Sequence, residues 1–281
     1  MTILVTGATG RVGSRFVPRL LRVSGPVRVF ARDMSRAAPL ADLGADVALG
    51  DLRDADSVDA ALDGVRTVVH LGAAFRGVSP DETAEVNNAA TVDFATAALK
   101  AGVARFVHTS TTLVYGPGRG RPATESDEPA PPPWAYPQQK AIAEKALLSL
   151  HRTQGLPVRI ARLAFVYGDG DPHLAESLTW ARDWAPHKRL HMVHHADVAQ
   201  ALFRLVQAEG IEGRIYNVAD DAPVTAHELL TLNGERVAED AQDRPLEDPW
   251  DGVCENARIR RELGFRPIHP TVYSAQDAGA L

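Results

Sequence analysis

Thr2-Ile3-Leu4-Val5-Thr6-Gly7-Ala8-Thr9-Gly10-Arg11-Val12-Gly13 is the stretch that decides the fold. A short apolar run of the kind buried in a parallel strand passes straight into three glycines spaced i, i+3, i+6, and then into a helical pattern. Glycine lets the chain turn tightly there and brings backbone close to a diphosphate. The charge of that group then rests on the free N–H groups and positive end of the following helix. Strand, glycine turn and helix arrive in the order a dinucleotide-binding fold requires, and Val27-Arg28-Val29-Phe30 supplies a second strand at the expected distance. Pro18 falls inside the first helix, where a kink or an end effect is expected.

The end of the second strand selects the cofactor. A carboxylate there accepts from the 2′-hydroxyl of NAD, whereas a guanidinium grips the 2′-phosphate of NADP with two parallel bonds. Phe30-Ala31-Arg32-Asp33-Met34-Ser35-Arg36 places Ala31 where the acid often stands and Arg32 beside it. NADP is therefore expected, and Asp33 keeps NAD open.

A second informative segment is Trp134-Ala135-Tyr136-Pro137-Gln138-Gln139-Lys140-Ala141-Ile142-Ala143-Glu144. Four residues is about one helical turn, so Tyr136 and Lys140 project from one helix face. A cation near a phenol favours the phenolate and pulls its titration down toward neutral pH, which would make Tyr136 a usable acid and base.

At 281 residues and 45% hydrophobic composition the chain can bury a full core, and one Rossmann-type unit with a small appended lobe is expected. A net charge of -6 without a Lys/Arg run argues against nucleic acid and anionic membrane as partners. No apolar stretch approaches the ~20 residues that span a bilayer, and the opening residues lack a basic signal-peptide region, so a cytoplasmic protein is expected. Cys254 is the only cysteine, which excludes an intramolecular disulfide and a cysteine-based metal cage; it reads as an incidental thiol in a helix-cap region.

With Thr6-Gly7-x-x-Gly10-x-x-Gly13 and Tyr136-x-x-x-Lys140 together, the chain resembles an extended short-chain dehydrogenase/reductase of the NAD-dependent epimerase/dehydratase-like family. Gly50-Asp51-Leu52 resembles that family's adenine-contacting pair, and Val68-Val69-His70-Leu71-Gly72-Ala73-Ala74 its fourth strand and the turn under the cofactor. Asn87-Asn88-Ala89-Ala90-Thr91 is similar to its Asn-Val-x-Gly-Thr helix. Thr109-Ser110-Thr111-Thr112-Leu113-Val114-Tyr115-Gly116 is similar to the strand end that carries the active-site hydroxyl, which falls on Thr111. Arg162 to Gly168, His194 to Ala199 and Tyr216-Asn217-Val218 match later family segments. His194 and His195 are read as structural, with Asp197 placed to cap a helix.

The resemblance implies a doubly wound α/β sheet with a C-terminal substrate lobe, a dinucleotide cofactor and a small-molecule substrate. Residues 1–165 would form the core, rejoined by 196–218, and 166–195 with 219–281 the lobe. Gly7, Thr9, Gly10, Arg11, Val12, Gly13, Arg32, Asp51, Leu52, Leu71, Gly72, Ala73 and Asn87 would line the cofactor with Tyr136 and Lys140, while Thr111, Tyr136 and Lys140 carry the chemistry and no metal takes part. The nicotinamide exchanges a hydride with a carbonyl carbon, and Tyr136 gives or takes the proton on its oxygen. Dehydratases of this kind carry an acid pair after the active-site Thr, where this chain has Thr112 and Leu113. The stretch from Gly168 to His194 is short and carries Leu178, Trp180 and Trp184, which suits a compact hydrophobic ketone or aldehyde. An oxidoreductase of the NADPH-dependent carbonyl reductase branch, whose second strand similarly ends in Val-Arg-Asp, is the expectation. A nucleotide-sugar 4-epimerase with tightly held NAD is the alternative, and a non-catalytic NADP sensor ranks last because the Tyr/Lys pair is kept. The segment Glu128 to Pro133, Phe75 to Asp81 and the loop from Gly168 are expected to rim the pocket. The helices around 84–101 and 138–151 carry apolar residues beyond one face, which in this family suits a homodimer.

Overall fold

The computed structural model describes residues 2–281. Strands β1 (Thr2–Thr6), β2 (Val27–Ala31), β3 (Asp46–Leu49), β4 (Val65–His70), β5 (Arg105–Thr111) and β6 (Val158–Leu163) alternate with helices. These are α1 (Gly13–Val23), α2 (Met34–Asp42), α3 (Ala55–Leu62), α4 (Pro80–Ala84), α5 (Thr91–Lys100) and α6 (Ala135–Gln154). Beyond them come strands β7 (Phe165–Tyr167), β8 (Arg189–Leu190), β9 (Met192–His194), β10 (Ile215–Val218) and β11 (Val224–Thr225). Helices α7 (His173–Glu176), α8 (Leu178–Ala181) and α9 (His195–Gln207) lie among these. The central sheet has seven strands in the order β10-β6-β5-β4-β1-β2-β3. Every pair is parallel. The chain builds outward from β1 through β2 to β3, then restarts on the other side with β4. The crevice between the ends of β1 and β4 is the switch point at which such sheets bind ligands.

Alternation along the strands divides the core between the two faces of the sheet. Leu4, Val68 and Phe106 join Phe94 of α5 and Leu147 of α6 on one face. Their neighbours Val5, Val69 and Val107 join Phe16 of α1 and Leu202 of α9 on the other. Strand β6 is buried throughout although it contains Arg159 and Arg162. Arg159 donates to the carbonyls of Leu205 and Ala208 at 2.7 and 2.8 Å, and Arg162 pairs with Glu144. Pro18 does not end its helix: α1 continues to Val23, the lost bond being the single one toward Ser14.

Residues after β6 leave the sheet and return to it. Helix α9 packs on α1, and β10 pairs with β6 at the sheet edge. A separate small core gathers Tyr167, Leu174, Met192, Leu229 and Val272, with Trp180 packed against it. The cap of α9 departs from expectation. His194 Nδ1 accepts from Ala196 N at 3.1 Å, while Asp197 lies inside the first turn and accepts from the N–H groups of Ile268 and His269. A carboxylate one turn into the helix is better placed to anchor the C-terminal segment than to cap its own backbone. His195 Nε2 lies 2.8 Å from Asp171, and no group of His, Cys, Asp and Glu among the described residues forms a metal cluster. Cys254 is buried in a bridge with Ala123, before the helix Ala257–Leu263 that Asn256 precedes, so it is core rather than cap. Among the described residues no helix is long and apolar enough to cross a membrane.

Candidate active site

The glycine turn fits a cradle that any side chain would fill. Gly7 adopts φ 65°, and a Cβ on it would stand 2.6 Å from Gly72 N. A Cβ on Gly13 would stand 2.3 Å from the Gly7 carbonyl oxygen and 2.5 Å from Ala8 Cα, so α1 approaches the turn only because that atom is missing. Gly10 N donates to Gly7 O at 3.0 Å and Val12 opens α1, accepting from Phe16 N at 2.9 Å. Opposite, Leu71 N and Gly72 N donate to Thr6 O and Thr6 Oγ1, both at 3.2 Å, and Ala73 follows in the same turn. These residues meet at the switch point and fit a nicotinamide dinucleotide.

Around the end of β2 the charges sort themselves. Asp33 turns its carboxylate into the N-terminus of α2, accepting from Ser35 N at 2.8 Å and Ser35 Oγ at 2.7 Å, and these bonds lower its pKa. Arg32 is exposed and has no hydrogen-bond or ion-pair partner among the described residues. Arg36 donates to Thr9 O at 3.2 Å. Asp51 holds Arg53 through two bonds of 2.9 and 2.7 Å, which pull its carboxyl down to about 2. Leu52 reaches Gly72, its Cδ1 lying 3.2 Å from where a Cβ would stand. Arg11 turns away from the glycine turn to Asp171 at 3.2 Å and Glu176 at 2.7 Å.

Helix α6 brings Tyr136 and Lys140 onto β5. Lys140 is 1% exposed and its Nζ donates to Thr109 O at 2.9 Å, two residues before Thr111. Tyr136, one turn nearer the strand's carboxyl end, is half-buried with its ring centroid 4.3 Å from that of Phe75. Thr111 ends β5, and its Oγ1 accepts from Leu113 N at 3.2 Å. The two hydroxyls therefore belong to the same end of the sheet. The lowered phenol pKa expected from the Tyr-x-x-x-Lys spacing is not found. Burial pushes Tyr136 up to about 12, and the ammonium, engaged with a carbonyl, does not offset it. Desolvation acts on the amine too, drawing Lys140 down to about 8 against the Glu144 carboxylate.

Several supporting contacts escaped sequence reading. Asn87, expected along the cofactor, clamps the β4 turn: Nδ2 donates to Ala74 O at 2.6 Å and Oδ1 accepts from Ala74 N at 2.8 Å. It does so from a widened π-turn, Glu85–Ala90, that joins α4 to α5. Beneath Lys140 lie two stacked buried imidazoles, His70 and His108, ring centroids 5.5 Å apart. Burial drives His70 down to about 3 and His108 well below its usual range, so both stay neutral beside the ammonium. One turn beyond Lys140, Glu144 accepts from Arg162 at 2.5 and 3.1 Å, and the guanidinium lies 4.6 Å over the Tyr115 ring. Glu144 continues the i, i+4 row of Tyr136 and Lys140, a spacing already legible in the segment.

A family model described as the NAD dependent epimerase/dehydratase family matches residues 3–219. The chain belongs to this family. A dTDP-glucose 4,6-dehydratase of Streptomyces antibioticus is 31% identical to it, over 95% of this chain and 88% of that protein. A 4-hydroxy-2-methyl-3-oxo-4-farnesyl-3,4-dihydroquinoline-1-oxide ketoreductase of Stigmatella aurantiaca is 29% identical, over 83% of this chain and 72% of that protein. The crystal structure of a dTDP-glucose 4,6-dehydratase from Streptomyces venezuelae with NAD and TYD bound superposes with a TM-score of 0.80 at 29% identity, covering 99% of this chain and 97% of that one. The chain is accordingly an enzyme of the epimerase/dehydratase family, built like its extended short-chain dehydrogenase/reductase relatives.

Proposed function

We propose that this epimerase/dehydratase-family enzyme is an NADP(H)-dependent oxidoreductase that interconverts the carbonyl and alcohol of a small or medium hydrophobic substrate. The observation that carries this reading is the apolar ring packed on Tyr136, Phe75 at 4.3 Å between centroids, together with the exposed apolar side chains of the neighbouring turn and helix start. Phe75, Leu113 and Trp134, three large apolar side chains, are 47%, 37% and 59% exposed, and come from the loop after β4, the turn after β5 and the residue preceding α6. Leu113 and Thr112 stand where a dehydratase needs acids, and neither can carry a proton for water elimination. The Stigmatella aurantiaca relative, named as a ketoreductase of a quinoline oxide, is a precedent for such a substrate. Residues 166–195 and 219–281 would supply the substrate lobe.

The cofactor supplies the hydride and this chain supplies orientation and the proton. Gly7, Gly10 and Gly13 would cradle its diphosphate, with Leu71, Gly72 and Ala73 across the crevice. Thr111 and Tyr136 hydrogen-bond the carbonyl oxygen, and the phenol donates its proton in reduction and recovers it in oxidation. With its pKa pushed up to about 12 by burial, the phenol is protonated at neutral pH and so holds the proton that reduction requires. Lys140, an ammonium below about 8, would hold the nicotinamide ribose from the same helix face. NADP is favoured because Arg32 is unengaged while Asp33 is committed to its helix.

Nucleotide-sugar chemistry with NAD is the second reading, since dTDP-glucose dehydratases cover nearly the whole chain. A cavity of about 570 Å³, lined by Pro117, Gly118 and residues of 183–188 and 244–251 and by none of Thr111, Tyr136 or Lys140, is a poor seat for a diphosphate. Its two cations are engaged, Lys188 with Asp251 at 2.7 Å and Arg244 with the carbonyl of Trp184 at 3.2 Å, and Asp183 and Glu247 add negative charge. Following NADPH and NADH absorbance against hydrophobic ketones beside UDP- and dTDP-sugars tests both. Ketone-dependent oxidation of NADPH is expected; sugar conversion without net cofactor consumption would establish the second reading instead. A homodimer through α5 and α6 is proposed on the 48% exposure of Ile142, to be checked by light scattering.

A further inference from the structure

Exposed aromatic rings are common and mostly without consequence. Phe75 differs in where it lies and in how it is held. Its ring is tilted 45° against that of Tyr136 with centroids 4.3 Å apart, so a carbonyl reaching the phenol passes alongside it. Its other neighbour is Arg76, whose Cζ lies 5.2 Å from the Phe75 centroid. Arg76 in turn is tied to α7, donating to the Glu176 carboxylate and to His173 Nε2 at 2.8 Å. His173 Nδ1 lies 3.0 Å from Val166 O and so carries the proton donated to that carbonyl, which leaves Nε2 free to accept from the guanidinium. Burial lowers the pKa of His173, which keeps this neutral form. Glu176 also accepts from Arg11 of the glycine turn at 2.7 Å. Each ion pair is part-exposed and weak alone, but two arginines converge on one short helix, meeting its Glu176 carboxylate and its His173 imidazole.

Resting on the carbonyl reductase reading above, we propose that Phe75 is the specificity-determining residue of this site, selecting ketones and aldehydes whose carbonyl is attached to a flat aryl or conjugated group. Glu176 acts as a positioning residue by clamping Arg76. A flat ring takes an offset or edge-on position against Phe75 at the 4.5–7 Å typical of aromatic pairs. A saturated ring of similar volume presents a puckered C–H surface and loses that contact. Neither Arg76 nor Glu176 touches the reacting atoms; they fix where the Phe75 wall stands when substrate arrives.

Acetophenone and cyclohexyl methyl ketone, matched in size and differing in flatness, make the test, with wild type, Phe75→Ala, Phe75→Leu and Glu176→Gln. Wild type is expected to favour acetophenone by about 3–10-fold in kcat/KM. Both Phe75 variants lose this preference through KM for the ketone, with KM for the nicotinamide cofactor unchanged; Phe75→Leu keeps apolar bulk and so separates flatness from mere filling. Glu176→Gln loses part of the preference. An unaltered ratio in Phe75→Ala, or wild type with no aryl preference, overturns the proposal. Should wild type reduce neither ketone, the carbonyl reductase reading fails. Saturation-transfer NMR of acetophenone on the cofactor-loaded enzyme then decides separately. Aryl signals weakened by Phe75→Ala support the wall, and equal signals in both proteins overturn it.

Discussion

Replacing Glu144 by glutamine probes the deepest polar contact of the catalytic helix. The Glu144 and Arg162 side chains are each 2% exposed and share bonds of 2.5 and 3.1 Å. Glutamine keeps the shape but removes the charge, leaving a buried guanidinium with one amide oxygen and the Tyr115 face at 4.6 Å in place of a counter-charge. Removing one partner of a buried pair costs about 3–5 kcal/mol. At roughly 2–4 °C per kcal/mol for a chain of this size, Tm should fall by roughly 6–20 °C. Calorimetry of wild type, Glu144→Gln and the double variant Glu144→Leu/Arg162→Met would read it, with the double variant regaining most of the loss. Glu144 also sits one turn from Lys140 and holds its pKa up, so the alkaline limb of the activity profile in Glu144→Gln should move to lower pH. A Tm change under about 2 °C, with an unmoved alkaline limb, would refute the view that this pair braces and tunes the site.

Tyr136→Phe should lower turnover by orders of magnitude while cofactor affinity, read by fluorescence titration, stays near wild type; ordinary activity would remove the phenol from the chemistry. Gly13→Val should abolish dinucleotide binding, because its Cβ would meet the Gly7 carbonyl and Ala8 backbone at 2.3 and 2.5 Å; retained binding would mean the cofactor lies elsewhere. Arg32→Ala should raise KM for NADPH about tenfold or more with little change for NADH, and equal effects on both would withdraw the 2′-phosphate role. Lys140 titrates at about 8 folded against 10.5 unfolded. Between those values the unfolded chain keeps a proton that the folded one has lost, so its contribution to stability rises with pH, by up to about 3 kcal/mol. The stability advantage of a Lys140→Met variant, measured by urea unfolding without cofactor, should therefore shrink from pH 8 to 10.5; a constant difference would show that burial does not shift this amine.

What could be read from the residues alone was local or periodic. The run Thr2 to Gly13 dictated strand, turn and helix because glycine spacing and apolar patterning act within a few residues, and the Tyr136–Lys140 row follows from helix pitch. Charge arrangement across the fold was not legible. Asp33 and Arg32 are adjacent in sequence, yet only the start of α2 decides that one is consumed as a cap and the other left free. Asp197 looked like a cap until the C-terminal segment brought the Ile268 and His269 amides to it. The phenol's pKa reversed its expected direction because desolvation depends on everything packed around a group, while sequence spacing registers only the nearest charge. Glu144 with Arg162, Asn87 with Ala74, and Arg76 with Glu176 join residues that chain folding alone brings together. Local sequence fixes backbone geometry through short-range sterics and hydrogen bonds, whereas burial and electrostatics sum over distant segments, and that sum exists only in the folded chain.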